Sequence, residues 1–364
     1  MLWLYERKSV SLPRQTKATA TASEQTKTFD LQSTGASTPI GLRQTESSGS
    51  AFRVNKNQSY RGRLTTRTSR ILLTRQLGTV VRQETDNPNQ RSTDWVTAKK
   101  YAKLARANYP IMTTDEYKSG MSVPNNEWIW GVYDANDQTL YYYSFYAYIA
   151  SNSNASVCRT YPVAISKELI DQIPETDARR SLYLVPSDAE YAECNEAGRS
   201  TGALYARAQA DYKDWIYSTS LIYAYMNFKF RDIENPGVGP FPVIRAAEMY
   251  YTEAEADCHL NETADAQQLL FDVVSPRDPA YTKSTKTGDD LLTEVKLYRR
   301  FDLWGEGNDW FDYKRWGEPI VRKSRAQGGS FLSNFAITIN PEDGNAWTWM
   351  IPEKETDYNS ALRD

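Results

Sequence analysis

The sequence predicts a mainly α-helical protein, a scaffold of antiparallel helix pairs with a loop-rich lobe carrying short strands between its halves. Three observations predict it. Small and apolar residues recur at helical spacing from about 93 to 120 and again from 241 to 317; short polar links separate the later helices; and residues 121 to 240 are dominated by aromatic, β-forming and turn-forming residues.

The first helix is read in "STDWVTAKKYAKLARANYP". Thr93 or Asp94 can cap it, Ala98, Tyr101, Ala102 and Ala105 share one face, and Pro110 follows its end. Its alanines suit the close packing of tetratricopeptide helix pairs. In "NNEWIWGVYDANDQTLYYYSFYAYIASNSN" the β-forming aromatics and a turn signal at Asp134 to Asp137 predict irregular structure or a short hairpin. A short helix is expected from Ser166 to before Pro174, and loops and short strands from about 186 to 220. In "FPVIRAAEMYYTEAEADCHL", Ile244, Ala247, Tyr251, Ala254 and Cys258 form one apolar stripe, which makes Cys258 a core residue. Ala266, Leu269, Leu270 and Val273 give the next helix its buried face, and the short link predicts antiparallel neighbours. A third helix runs from about Asp289 to Trp304 and ends at Gly305 and Gly307. The helical scaffold is thus read at 93 to 120 with 241 to 317, a lobe of loops and short strands at about 121 to 240, and a C-terminal segment at 318 to 364.

Residues 1 to 92 have a different texture. Split before Trp95, the chain carries 15 Lys and Arg against 7 Asp and Glu, and beyond it 28 against 39. The segment holds five of the 46 aromatic residues and is rich in Thr, Ser, Gln and Arg, too little apolar surface to offset ordering entropy. It is read as a low-complexity basic segment, disordered or not native to the fold through a frameshift, a mistaken start or a gene fragment. A nucleic-acid-binding arm would have the charge but lacks a recognised motif, so no nucleic-acid partner is expected.

Several chemistries are argued against by residue type. A single histidine, His259, excludes multi-histidine metal sites, and its place on its helix predicts a solvent-edge residue. Three cysteines without a C-x-x-C make a disulfide framework unexpected, leaving one Cys158–Cys194 bridge open. "DANDQT" lacks the glycine and distal glutamate of a calcium loop and is read as a turn. No metal or cofactor is expected. No stretch approaches the roughly 18 to 20 apolar residues of a membrane helix, and no signal peptide or acylated cysteine is visible.

The stretch "YRRFDLWGEGNDWFDYKRWG", 298 to 317, sets Glu306 and Asp312 among Arg299, Arg300, Lys314 and Arg315. Paired carboxylates could serve glycoside hydrolysis. Neighbouring cations lower a carboxylate pKa, however, whereas a general acid needs a raised one. A structural ion network under an aromatic lid is therefore the expectation, with no catalytic residues.

Together with "VIRAAEMYYTEAEA" and the closing "WTWMIPEKETDYN", this stretch resembles the C-terminal signature of the SusD/RagB family of bacterial outer-membrane nutrient-binding lipoproteins. Arg245, Glu248, Tyr250, Glu253 and Glu255 carry the first block. Arg299, Arg300, Leu303, Glu306, Gly307, Asp312, Arg315, Trp316 and Gly317 carry the second, and Ile351, Pro352, Glu355 and Asn359 the third. "DWVTAKKYAKLA", "NNEWIWG" and "YPVAISKELIDQIPETDAR" extend the resemblance from about 94 to the C-terminus. It implies a noncatalytic cell-surface protein, lipid-anchored at the outer membrane, that binds oligosaccharide or another nutrient and delivers it to a TonB-dependent SusC-type transporter. The alternatives are a tetratricopeptide-type protein-interaction scaffold and, behind it, a glycoside hydrolase. Sugar rings stack on aromatic faces while amides and carboxylates meet their hydroxyls. The candidate ligand contacts are therefore Trp128, Trp130, Tyr141, Tyr143, Tyr146 and Asn126, with Tyr142, Asn125 and Asp137 nearby and Trp215, Tyr217 and Trp347 as secondary candidates.

Overall fold

The computed structural model of the chain describes residues 88 to 132, 145 to 231, 239 to 344 and 347. The expectations for residues 1 to 87, for the turn and tyrosines at 133 to 144, and for the closing motif lie outside the described residues.

Eleven α-helices and six short strands are described, so the protein is mainly α as the periodicity predicts. In chain order the helices are α1 (Pro88–Arg106), α2 (Thr114–Lys118), α3 (Phe145–Ile149), α4 (Ser156–Thr160), α5 (Lys167–Ile170), α6 (Asp188–Glu193), α7 (Ala203–Asp211), α8 (Ala246–His259), α9 (Thr263–Val274), α10 (Gly288–Asp302) and α11 (Asp309–Trp316). The strands are β1 (Trp128–Val132), β2 (Arg199–Ser200), β3 (Ile222–Tyr223), β4 (Phe241–Arg245), β5 (Ile320–Val321) and β6 (Thr338–Ile339), paired antiparallel as β1 with β4, β2 with β3 and β5 with β6.

Helix α8 is the hub: it packs against α1, α9 and α10. Ala98, Ala102 and Ala105 of α1 and Ala246, Ala247, Ala254 and Ala256 of α8 are all buried, and their short side chains let the backbones approach closely. The buried faces of α9 (Ala266, Leu269, Leu270, Val273) and α10 (Leu291, Val295, Tyr298, Phe301) join Tyr251 and Ala254 in one core with the lobe's Tyr146, Leu182, Leu204, Phe228 and Phe230. Because α8 has neighbours on several sides, its burial is wider than a single stripe. Glu248, Glu253, Glu255 and Asp257 are buried as well, while Cys258 is half-buried and His259 is exposed, stacked on Trp95 at 4.1 Å.

The structure departs from the sequence reading in three places. Helix α1 starts at Pro88, upstream of the expected cap, with a proline at its first position, where a missing N–H costs nothing. The strand expected near Trp128 forms, yet its partner is β4, Trp128 facing Arg245 and Val132 facing Phe241, and the following Tyr146 lies in α3. The 186 to 220 interval is more helical than expected. Ser187 and Glu190 form a reciprocal capping box at the start of α6, and Leu204 and Ala208 bury one face of α7. The three cysteines are free thiols; Cys194 Sγ donates to the Glu190 carbonyl, so the Cys158–Cys194 bridge is absent.

Candidate functional site

The charged residues of the 298 to 317 stretch do not line an open cleft. Asp302 and Glu306 enter the buried junction between helices and lobe, Arg299, Asp312 and Arg315 turn towards α8, and Arg300 and Lys314 lie over the rings of Tyr313 and Trp310. Helix α10 ends at Asp302, and Gly305 (φ +80°) and Gly307 (φ +84°) turn the chain so that Glu306 points back towards Arg245, the residue at which β4 becomes α8. Gly305 is also a contact point: a Cβ there would sit 2.5 Å from the Phe230 ring.

Arg245, 1% exposed, donates through Nε to Glu306 Oε2 (2.8 Å), through Nη1 to Glu127 Oε1 (2.9 Å), and through Nη2 to the Asp302 carboxylate and carbonyl. Lys229, fully buried, spends its three N–H bonds on the Asp302 carbonyl (2.7 Å), the Trp304 carbonyl (2.8 Å) and Glu306 Oε1 (2.6 Å). Arg179 bridges Asp177 (2.6 Å) and Asp302 Oδ2 (2.8 Å), and the Tyr251 hydroxyl donates to the same oxygen at 3.0 Å. Glu127 in turn accepts the backbone N–H groups of Met112 (2.7 Å) and Ala247 (3.0 Å). A second knot lies beside it: Asp312 accepts from Arg299 and Arg315, both at 2.7 Å, and Glu255 accepts from Arg315 and from the Trp316 indole N–H at 2.8 Å.

This geometry decides what the carboxylates can do. Burial alone would push Asp302 and Glu306 up, but Arg245 with its neighbouring cations outweighs it and holds both below the usual carboxylate range. Burial is likewise outweighed by Arg299 and Arg315 at Asp312 and by Arg315 at Glu255, and both are lowered. Neither Glu306 nor Asp312 therefore carries a proton to donate near neutral pH, and each belongs to a different knot. Lys229 moves the other way: burial lowers it to about 8 against the pull of Glu306. The expected ion network is present, and it is scaffold.

The aromatic candidates are dispersed. Trp128 is 4% exposed, with Gly131 tucked against its ring, and Tyr146 is fully buried against Phe145 and Phe230; neither offers a ring face to a ligand here. For Trp128 the burial has a simple cause, whereas Tyr146 lies on the inner side of helix α3. Alternation along a strand names two faces, and the inward one is chosen by what packs there. Trp130 is half-buried against the small cluster of Ala102, Ala105, Ile129, Ile244 and Met249, and Asn126 is exposed at the turn before β1. Asn125 caps that turn by accepting from the Glu127 N–H at 3.0 Å. Tyr141, Tyr142, Tyr143 and Asp137 lie outside the described residues. Among the secondary candidates, Trp215 lies 3.7 Å from the Arg231 guanidinium and packs on Phe228, and Trp347 is buried near Trp310.

Tyr217 leads to an aromatic face the sequence reading missed. It is half-buried under the Arg159 guanidinium at 5.5 Å. Tyr161, 57% exposed, stands two residues beyond Arg159, and Arg159 Nη1 donates to Thr219 Oγ1 at 2.8 Å. Next to them Arg199 pairs with Tyr223 across β2 and β3. The alternation places Ser200 and Ile222 inward and leaves Arg199 exposed and Tyr223 half-buried. "CRTYP" carries no periodic signal, and only the fold assembles these residues.

The family model for the SusD family matches residues 77 to 362. No curated protein matches the chain. Among solved structures, a SusD-like carbohydrate binding protein from Bacteroides vulgatus is 26% identical with a TM-score of 0.54, over 75% of this chain and 56% of that one. A SusD superfamily protein from Bacteroides thetaiotaomicron shares the fold at 20% identity and a TM-score of 0.54, over 81% of this chain and 59% of that one. A SusD homolog from the same species does so at 19% identity and a TM-score of 0.51, over 81% and 58%. The matched region therefore spans under three fifths of the length of these relatives. With the match running through every described helix, the buried Arg245–Asp302–Glu306 junction and the Arg299–Asp312–Arg315 knot, this chain belongs to the SusD family.

Proposed function

We propose that this protein is a noncatalytic binder of oligosaccharide that delivers its ligand to a TonB-dependent SusC-type transporter at the outer-membrane surface. Membership of the family carries the reading, and the solved relative that is 26% identical is described as a carbohydrate binding protein. The electrostatics agree with it. Glu306 and Asp312, the acids a hydrolase would need, are held ionised by arginine and lysine. Surface attachment through a lipid anchor and docking on the transporter follow from the family resemblance. Among the described residues no helix is long and apolar enough to cross a membrane.

Ligand contact is assigned in this proposal to Trp130 and Asn126 with Tyr141 and Tyr143, and not to the buried Trp128 and Tyr146. The test is affinity electrophoresis of the full chain against plant, host and microbial glycans, with Trp130→Ala beside wild type. Retardation by a glycan without release of reducing ends supports the reading. Release of reducing ends, or folded protein that no glycan retards, counts against it.

A further inference from the structure

We propose that the face formed by Arg159, Tyr161, Tyr217, Arg199 and Tyr223 binds a carboxylated sugar chain, so that the ligand is a uronate-containing oligosaccharide. The inference rests on the glycan-binding reading and adds to it a second contact face, apart from Trp130 and Asn126, and a charge.

Most of the described arginines have strong acceptors, and Arg180, Arg231 and Arg325 donate to backbone carbonyls. Arg106, Arg179, Arg207, Arg245, Arg299 and Arg315 each hold a carboxylate. Arg159 and Arg199 hold none among the described residues. The Arg159 guanidinium makes one hydrogen bond, to the neutral Thr219 hydroxyl, and its Nε is buried without an acceptor. The Nε is sealed inside the fold, so a ligand carboxylate would meet the guanidinium end-on through its two Nη groups, with charge assistance. Arg277 also has buried N–H groups without an acceptor, but it lies fully inside the protein, whereas Arg159 is only half-buried and its side chain reaches the surface beside exposed Tyr161.

The surroundings fit a sugar chain better than a lone anion. The Arg159 carbonyl accepts the Leu221 N–H at 2.8 Å, which fixes the end of α4 beside β3, and β3 is paired on its other side with β2 and Arg199. Tyr223 sits close enough to both neighbours that, beyond the upward push of burial, its phenol responds to the Arg199 charge and to Tyr161. Each cation thus has a tyrosine beside it, Tyr217 under Arg159 and Tyr223 across the strand pair from Arg199, and the Leu221 bond joins the two pairs through β3. A chain of acidic sugars presents that alternation, with a ring face for stacking and a carboxylate on each residue.

The test uses the full chain in affinity electrophoresis and calorimetry with polygalacturonate, alginate and hyaluronan. Fully methyl-esterified polygalacturonate, a neutral glycan panel and dextran sulfate are run in parallel. The variants are Arg159→Gln, Arg199→Gln and Tyr161→Ala, each checked for a wild-type circular dichroism spectrum; Arg199 and Tyr161 are exposed, so their replacement spares the fold. We expect at least one carboxylated glycan to bind, with affinity falling about tenfold or more in each arginine variant, the loss of a charge-assisted contact. If polygalacturonate is that glycan, esterification weakens it as much. Binding of neutral glycans alone, or of acidic ones undiminished by Arg199→Gln and Arg159→Gln, overturns the proposal and leaves the glycan reading standing. Preference for dextran sulfate over all three carboxylated chains overturns it too. Failure of folded protein to bind any glycan, acidic or neutral, removes the reading beneath it.

Discussion

Replacing Asp302 by asparagine changes no shape and removes one charge from the centre of the ion network. Asp302 is fully buried, and its carboxylate accepts from Arg179 (2.8 Å), Arg245 and the Tyr251 hydroxyl (3.0 Å). An amide can accept on one side only. Its NH2 must then face Arg179 or Arg245, setting donor against donor. Breaking a buried pair by removing one partner typically costs about 3 to 5 kcal/mol. Here Arg245 keeps Glu127 and Glu306, and Arg179 keeps Asp177, so the lower end applies, about 3 kcal/mol. For a domain above 150 residues that corresponds to a fall in Tm of roughly 6 to 12 °C. Urea unfolding followed by circular dichroism measures it, with Asp289→Asn as control. Asp289 is an exposed acid in the first turn of the same helix and should cost about 0.5 kcal/mol or less. A loss below about 1 kcal/mol for Asp302→Asn would refute the assignment of Asp302 as the network's central anion.

The same network predicts an acid limb. Asp302, Glu306, Asp312 and Glu255 are lowered from ordinary values of 3.8 to 4.5, so below about that range the unfolded chain binds protons that the folded one does not. Stability is full above pH 4.5, falls as pH drops through the lowered values, and falls less steeply in Asp302→Asn, as denaturant midpoints between pH 3 and 6 will record. Trp316 is 7% exposed, flanked by Lys296 and Arg315, and donates to Glu255. Trp316→Ala should cost about 3 to 5 kcal/mol, and a wild-type thermal melt would contradict that burial. Gly305→Ala and Gly307→Ala separate two effects, because both have φ near +80° but only Gly305 has Phe230 against it. Gly307→Ala should cost about 1 to 2 kcal/mol for the backbone alone, and Gly305→Ala measurably more in the same melts; equal losses would mean that the Phe230 contact relaxes freely.

What the sequence discloses depends on range. The helices α1, α8, α9 and α10 were legible because Ala98, Ala102 and Ala105, or Ala266, Leu269, Leu270 and Val273, mark a buried face within one segment. The short-range half of the ion network was legible for the same reason, since Arg299 and Arg315 lie near Asp312 in the chain. The other half was not. Arg179 reaches Asp302 across 123 positions and Lys229 reaches Glu306 across 77, and no local pattern names such a partner. Strand β1 failed similarly, for "EWIWGVY" announces a strand but not that its partner is β4. Trp128 shows the consequence for site prediction. Aromatic density raised it as a sugar platform, while its burial against Gly131 depends on packing that the strand itself does not specify.

The placement of the network explains how a loop-rich lobe is held to a helical scaffold. Glu127 precedes β1, Arg179 and Lys229 belong to the lobe, Arg245 begins α8, and Asp302 and Glu306 close α10. A buried ion pair adds little net stability over a well-packed apolar substitute, yet removing any one partner is expensive. Such a cluster therefore acts mainly on register. The apolar core tolerates small slips of Leu182 or Phe228, but Lys229 satisfies its three acceptors only where the Asp302 and Trp304 carbonyls and Glu306 converge. Fixing Lys229 fixes the six residues before it, including Tyr223 and its pairing with Arg199, and Asn227 carries the restraint to Val163, two residues past Tyr161, through its N–H bonds to the Val163 carbonyl. Tyr223, Arg199 and Tyr161 thus stand on segments whose position is set by charges buried behind them, and the face proposed to bind a carboxylated sugar chain would lose little ordering entropy on binding.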